Sequence, residues 1–392
     1  MSNCFVHLSL VVLIAAAASG QETGSAVTIT ATQGEPGPLS RSLAIEARAA
    51  IDRGVKWLLA QQNPEGHWSN EGFPALTALP LWALVRSGGN TDTQAVDRAV
   101  RFILSCVHDD GSIWREPAEK QKGGGLSTYN TSLCMVALHA VGDPNLVPIV
   151  QKARRYLAGT QHFGADDYRG GMGYDAETGK PYADLSNSYM AYEAMRLTQN
   201  VEDLRKDGDK PADLDWKAVE EFLAKIQNKP AGTNDDNAGG FAYHPSESKA
   251  GTVTNEAGEI RFRSYGSMTY AGLLSLIYAE VDKGDPRVQS AFDWSVKHWT
   301  LEENPGMGPE GLYYFYNVLP KALAAYGRDQ LTLADGRRIN WRAELIRKLL
   351  NLQKIDPKNG QGYWVNEAGR WWEADPVLVT SYSLLALEIA LK

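Results

Sequence analysis

Arg53-Gly54-Val55-Lys56-Trp57-Leu58, followed by Gln62, Gly66 and Trp68, is the stretch from which the rest of the chain can be read. A basic residue, a small one, a spacer, an aromatic and an aliphatic come in order. A glutamine five residues after the aromatic and a Gly-x-aromatic turn follow. The order returns in Arg98-Ala99-Val100-Arg101-Phe102-Ile103 with Gly111 and Trp114, where the glutamine is missing. It returns in Lys152-Ala153 with Tyr156-Leu157, Gln161 and Gly171-Met172-Gly173-Tyr174, and in Lys217-Ala218 with Phe222-Leu223, Gln227 and Gly240-Phe241. A degraded copy carries Trp294, and a last one has Leu349-Leu350, Gln353, Gly362 and Trp364, with Lys348 in the aromatic's place. The anchors Trp57, Phe102, Tyr156, Phe222 and Trp294 stand 45, 54, 66 and 72 residues apart. Recurrence at such a period marks a repeat architecture, so these glutamines and tryptophans are read as structural. Each Gln sits where an outer helix ends, and its amide is expected to donate to that helix's unpaired last carbonyls.

Every copy has two helical halves. The first is amphipathic, with apolar residues at helical spacing such as Val55, Leu58 and Leu59. The second is apolar on most sides: residues 76–85, 131–141, 186–197, 267–279, 312–326 and 380–391. Several of these begin with Ser or Thr, which suits helix N-termini. A helix apolar all round is buried all round. The second helices therefore form an inner ring and the first an outer one. Closing six hairpins into a ring removes the exposed ends that an open solenoid must cap. The fold expected is all-α, an (α/α)6 toroid.

The 392 residues and 43% hydrophobic content fit one large repeat barrel. A net charge of −8 argues against nucleic acid as a partner, since phosphate binding needs a basic surface. Leu8–Ala18 is apolar or small apart from Ser9, and Ala18-Ser19-Gly20 precedes polar Gln21. That run is too short to span a bilayer and fits a secretory signal peptide over Met1–Gly20, although its n-region lacks Lys and Arg. Residues 21–43 read as a flexible lead-in and 44–392 as a single toroid. The mature protein is expected to be secreted or periplasmic, with no later membrane span. Cys106 and Cys134 read as two buried thiols, with one disulfide the alternative. The sequon Asn130-Thr131-Ser132 lies at an inner-helix start, where glycosylation is not expected.

The repeats resemble the QW motif, the prenyltransferase and squalene oxidase repeat of the squalene–hopene cyclase and protein prenyltransferase superfamily. Arg53-Gly54 through Trp68 is the nearest match, and the resemblance covers residues 44–392. It implies a toroid whose inner helices line a cavity for an isoprenoid or other apolar ligand. The activity it implies is that of a terpenoid cyclase (isomerase or lyase) or of a prenyltransferase. The superfamily's chemistry does not carry over residue by residue. The cyclases' D-x-D-D is absent, and Asp109-Asp110, Asp166-Asp167 and Asp235-Asp236 precede Gly-aromatic turns and read as turn residues. The prenyltransferases' zinc spacing is missing as well, as are H-x-x-x-H and C-x-x-C pairs. No metal or cofactor is expected. His67, His108, His162 and His244 read as packed or solvated turn residues.

In a closed helical ring, the turns leading into the inner helices form the cavity mouth. Four of them stand out: Asp184-Leu185-Ser186-Asn187, Arg261-Phe262-Arg263-Ser264-Tyr265, Tyr313-Tyr314-Phe315-Tyr316-Asn317 and Trp371-Trp372-Glu373-Ala374-Asp375. Read functionally, Tyr265, Tyr313, Tyr314, Tyr316, Trp371 and Trp372 wall a pocket with Arg261, Arg263 and Asn317 as polar contacts. Asp184, Glu373 or Asp375 is then the acid. Read as architecture, the aromatics pack between layers, Asp184 and Asp375 cap helices, and the arginines pair with acids. Three functions compete. An isoprenoid enzyme needs an aromatic cavity with a carboxylic acid of raised pKa. A polysaccharide enzyme needs two carboxylates in one groove, with Glu373, Asp375 and Glu310 the candidates. A non-catalytic scaffold binding lipid or protein needs neither.

Overall fold

In the computed structural model, residues 38–88, 92–116, 125–175, 182–206, 208–232, 235–255 and 258–392 are described. The expected signal peptide and most of the lead-in lie outside them. Six outer helices, α1 (Arg41–Gln61), α3 (Thr93–Leu104), α5 (Val147–Thr160), α7 (Trp216–Ile226), α9 (Pro286–Lys297) and α11 (Trp341–Leu352), alternate with six inner ones. The inner helices are α2 (Ala75–Ser87), α4 (Ser127–Val141), α6 (Leu185–Leu197), α8 (Gly266–Tyr278), α10 (Leu312–Tyr326) and α12 (Pro376–Ala390). Each inner helix packs on the next, and α12 packs back on α2, so the ring is closed. None of the described helices is long and apolar enough to cross a membrane.

Burial follows the hydrophobic pattern. The outer α3 buries Ala95, Ala99, Phe102 and Ile103, one stripe of a 3.6-residue period. The inner α12 buries every residue from Val377 to Leu387. α1 begins at Arg41, where Ser40 accepts from the Leu43 N–H, three residues ahead of the expected start. α4 and α12 begin four residues ahead of Thr131 and Thr380. These hydroxyls are not caps. Thr77, Thr131, Ser188, Thr269 and Thr380 accept from the N–H of Trp68, Ile113, Met172, Phe241 and Trp364 at 2.8–3.2 Å, fixing five of the inner helices, α2, α4, α6, α8 and α12, to their incoming turns.

The repeat motif works differently from the expected cap. The indoles of Trp68 and Trp364, both fully buried, donate to Leu58 and Leu349, the last-turn carbonyls of their own outer helices. The glutamines reach forward instead. Gln62 donates to Gly66 and to Ala95 of α3; Gln161 to Gly170 and Asp215; Gln227 to Gly239 and to Arg287 of α9. Gln353 donates to Ala50 of α1 at 2.9 Å, so the joint between neighbours also seals the seam. The turn glycines Gly66, Gly111, Gly170 and Gly239 sit at φ +87 to +98, in the left-handed region. A Cβ on any of them would stand 1.8–2.5 Å from a carbonyl oxygen of the next outer helix. In the third and fourth copies this glycine precedes the Gly171 and Gly240 of the quoted turns.

Three two-stranded ribbons, absent from the all-α expectation, decorate the loops: β1 (Thr252–Thr254) with β2 (Ile260–Phe262), β3 (Gln330–Thr332) with β4 (Arg338–Asn340), and β5 (Lys354–Ile355) with β6 (Gly362–Tyr363). β6 holds Gly362 of the last motif copy and packs on α1 and α12. The Asp pairs serve turns: Asp110 accepts from Ser112, Asp166 from Tyr168, and Asp235 from Asn237. Cys106 and Cys134 are buried free thiols. Asn130 is fully buried with its Oδ1 on the Ala75 N–H, which closes the sequon to glycosylation.

Candidate functional site

A cavity of about 370 Å³ opens where the N-terminal turns of the inner helices converge. Tyr129, Tyr174, Tyr243, Tyr265, Tyr314 and Tyr382 wall it, with Leu76, Leu79, Met268 and Leu378 between them. Phe73, Trp371 and Trp372 form its lip. Polar atoms are few: Asn130, Ser186, Ser267, Lys249 and Glu373. The hydroxyls bond to one another, Tyr174 to Tyr243 at 2.9 Å, Tyr182 to Tyr243 at 3.2 Å, and Ser186 to Tyr314 at 3.3 Å.

Asp184 stands directly behind this wall. Its carboxylate caps α6, accepting from the Asn187 N–H at 2.9 Å and the Asn187 amide at 2.7 Å, and it is fully buried. Burial pushes its pKa up to about 6, against hydrogen bonds from Asn187, Tyr243 and Tyr182 that favour the anion. Tyr243 and Tyr174 therefore connect a carboxylic acid that is half protonated near pH 6 to the cavity surface. Their own hydroxyls are held protonated: burial raises Tyr174 to about 12 and Tyr243 further.

Glu373 lines the cavity, and burial raises its pKa too. Both of its oxygens are occupied, by the backbone N–H of Tyr314 (2.7 Å) and Tyr313 (3.2 Å) and by the Asn366 amide (2.6 Å). It caps α10 from outside. Asp375 caps α12 through the Val377 N–H at 2.9 Å and is not a lining residue. Glu310 is engaged by Arg370 at the lip. Of the three acids weighed for a polysaccharide groove, Glu373 is the one that lines the cavity.

The remaining candidates divide. Tyr265, Tyr314, Trp371 and Trp372 line the cavity. Tyr313 and Tyr316 pack edge to face outside the lining, with Tyr316 donating to the Leu301 carbonyl. Asn317 is buried one turn below Tyr314, and its Oδ1 has no hydrogen-bond partner. Arg261 pairs with Asp235 at 2.5 Å, away from the cavity, and Arg263 faces the Thr252 carbonyl at 3.4 Å rather than an acid. The histidines pack in turns: His67 on Phe102, His108 on Trp114, His162 on Asp166, and His244 between Tyr168 and Tyr182. Among the described residues, Glu65, His67 and Glu71 form a loose trio of metal-ligand types, with Glu71 already bound to Arg115 at 2.5 Å.

Sequence reasoning missed four residues. Tyr174, Tyr243 and Lys249 lie in loops whose approach to α6 and α8 only the fold reveals. The fourth, Lys321, has its amine fully buried further along the ring, 2.9 Å from Glu193 and over the Trp82 ring at 4.7 Å. Burial lowers its pKa while Glu193 opposes the shift. A lysine in an apolar run was the available signal. Trp371 and Trp372 were foreseen as walls, but their backbones at φ 55 and 68 were not, nor was the exposure of about half of each indole.

No family model matches the chain. Among curated proteins, copalyl diphosphate synthase from Streptomyces anulatus is 39% identical over 69 residues, 16% of this chain and 13% of that enzyme. Ent-copalyl diphosphate synthase from Streptomyces sp. (strain KO-3988) is 29% identical over 113 residues, 28% of this chain. The matched segment spans only 21% of that second enzyme. Among solved structures, the type II terpene cyclase MstE from Scytonema with merosterolic acid A aligns with TM-score 0.52 and 14% identity. That alignment covers 90% of this chain and 99% of that one. Candida albicans protein geranylgeranyltransferase-I complexed with GGPP gives 0.51 and 15%, covering 86% and 89%. An alpha-amylase from Clostridium perfringens gives 0.50 and 13%, covering 90% and 99%. The architecture is the helical toroid of terpenoid cyclases and protein prenyltransferases.

Proposed function

We propose that this toroid binds an isoprenoid in its tyrosine-walled cavity and protonates it, with Asp184 as the acid and Tyr243 and Tyr174 as the relay. The observation that carries the reading is a protonatable carboxyl buried one hydroxyl behind an aromatic wall. Proton transfer to an alkene breaks its π bond, forms a C–H bond and leaves a carbocation, which tyrosine and tryptophan faces stabilise. Return of a proton to the carboxylate from a neighbouring carbon closes the cycle as an isomerisation. Asp184 would stand in for the absent D-x-D-D acid, and Glu373, with both oxygens occupied, would shape the pocket. The apolar run Leu8–Ala18 supports export, which would place this chemistry outside the cytoplasm.

The short matches to copalyl diphosphate synthases and the likeness to a terpene cyclase agree with this reading. The amylase likeness is one of fold. Among the described residues, the one carboxylate lining the cavity is Glu373, and a glycosidase needs a pair.

The test is incubation of the full chain with linear C15 to C30 polyenes, followed by mass spectrometry and isothermal titration. Conversion that disappears in Asp184→Asn while binding persists supports the whole reading. Binding without conversion in either protein removes the acid role and leaves a carrier. Binding of none of these ligands ends the proposal.

A further inference from the structure

Among the described residues, Glu65, His67 and Glu71 are the one group of three metal-ligand side chains whose donor atoms all lie within 4.8 Å of one another. They stand in the turn between α1 and α2, and Glu71 is two residues short of Phe73 at the cavity lip. Two exposed glutamates carry little by themselves; the histidine between them is the unusual member. His67 is 8% exposed, and its Nδ1 has no hydrogen-bond partner. Its Nε2 faces Glu65 Oε2 at 3.7 Å, beyond hydrogen-bond reach. The histidines of the other motif copies are engaged. His108 Nε2 meets the Trp114 carbonyl at 3.1 Å, His162 Nε2 meets Asp166 at 2.8 Å, and His244 Nδ1 accepts from the Ser246 N–H at 3.1 Å. A buried imidazole without such a partner calls for one, and a metal ion is a common occupant.

The surroundings hold that ring in place. It packs on Phe102 with centroids 5.2 Å apart, and the His67 carbonyl accepts from the Asn63 N–H at 2.9 Å. Arg115 takes Glu71 Oε2 at 2.5 Å, which orients the carboxylate and leaves Oε1 outside that pair. Glu65 has a side chain 76% exposed, with room to swing toward the ring. A tetrahedral ion with bonds of about 2.1 Å sets its ligands about 3.4 Å apart. Rotation of the two exposed glutamates closes the present spacing to that distance. Carboxylates alone suit calcium or magnesium, whereas an added imidazole shifts the preference to zinc and its neighbours. Two carboxylates also balance the ion's charge beside Arg115.

We propose that Glu65, His67 and Glu71 bind a divalent cation of the zinc class, with water completing the tetrahedron, and that the ion clamps the turn carrying Phe73 at the cavity mouth. The site is separate from Asp184 and its tyrosines, so it stands whatever the cavity holds.

The experiment is isothermal titration of the chelator-treated, untagged full chain with Zn²⁺, and separately with Ca²⁺ and Mg²⁺. One equivalent of Zn²⁺ should bind. His67→Ala should weaken it on the order of a hundredfold, and Glu65→Gln or Glu71→Gln about tenfold, while His162→Ala leaves it unchanged. The two glutamate variants alter exposed side chains, so they keep the test decisive if His67→Ala fails to fold. Zn²⁺ should also slow hydrogen exchange over residues 63–73, read by mass spectrometry, and leave the other turns as they were. No Zn²⁺ binding overturns the proposal, as does binding that survives His67→Ala or both glutamate variants. Ca²⁺ or Mg²⁺ binding as tight as Zn²⁺ overturns the imidazole's part in it. Binding without protection of residues 63–73 overturns the clamp.

Discussion

Asp184 is an N-cap that the fold has buried, and the two roles pull its proton in opposite directions. Capping favours the anion, burial the acid, and burial wins. The folded pKa near 6 lies above the ordinary carboxylate value, so between roughly pH 4 and 6 the folded chain holds a proton that the unfolded chain has lost. Stability should therefore fall as pH rises through that window, by up to about 3 kcal/mol, and the slope should vanish in Asp184→Asn. Thermal melts of both proteins from pH 4 to 7 measure this, with a flat wild-type profile as the contrary result. Any turnover should decline as pH rises past 6. Lys321 makes a second residue-level case. Glu193→Gln leaves its buried amine without a counter-charge and should cost about 3–5 kcal/mol, whereas joint replacement by Glu193→Leu and Lys321→Met should cost much less. Chemical denaturation of the single and double variants decides it. The sequence displayed Asp184 as a helix start and Lys321 as one charge in an apolar stretch. Neither line of letters says which cavity wall an atom stands behind.

At the level of elements, the hairpins were legible because two periodic signals coincide: an amphipathic stripe on one helix and an all-apolar partner after a Gly-aromatic turn. The division of labour inside the motif was not legible. Gln and Trp both end up on carbonyls, and only the geometry separates the indole, which closes its own helix, from the amide, which joins the next. The inner-helix boundaries slipped for a related reason. Ser and Thr advertise caps, but here their hydroxyls receive turn N–H groups from within the first turns. Gly170 tests the joint most directly. Its φ of +91 is unfavourable to any side chain, and a Cβ would lie 1.8 Å from the Ala218 carbonyl oxygen. Gly170→Ala should lose about 3 kcal/mol or more, while Gly142→Ala, with open space around it, should lose about 1 kcal/mol from its positive φ alone. Equal losses in urea denaturation would show that crowding against α7 contributes nothing.

For the whole molecule, closure depends on one more copy of the inter-repeat joint. Gln353 donates to Ala50 and accepts from Arg53 at 2.9 Å, as Gln62 donates to Ala95 and accepts from Arg98. Gln353→Ala should lower stability by about 1–3 kcal/mol. It should also raise hydrogen exchange in α1 and α12 before other helices, which mass spectrometry can read. Uniform exchange around the ring would contradict a local seam. The ring itself was readable from six tandem copies. The cavity's chemistry was not, because the loops that finish it carry no repeat.

The joint at Gln353 treats the first and last hairpins as ordinary neighbours, and Arg48 lies 3.0 Å from Glu388 across that boundary. Topologically, then, the polypeptide's break is an arbitrary cut in a circle. A circular permutant that tethers Lys392 to Ser40 through a short Gly/Ser bridge and reopens in the loop between α6 and α7 should preserve the circle of contacts.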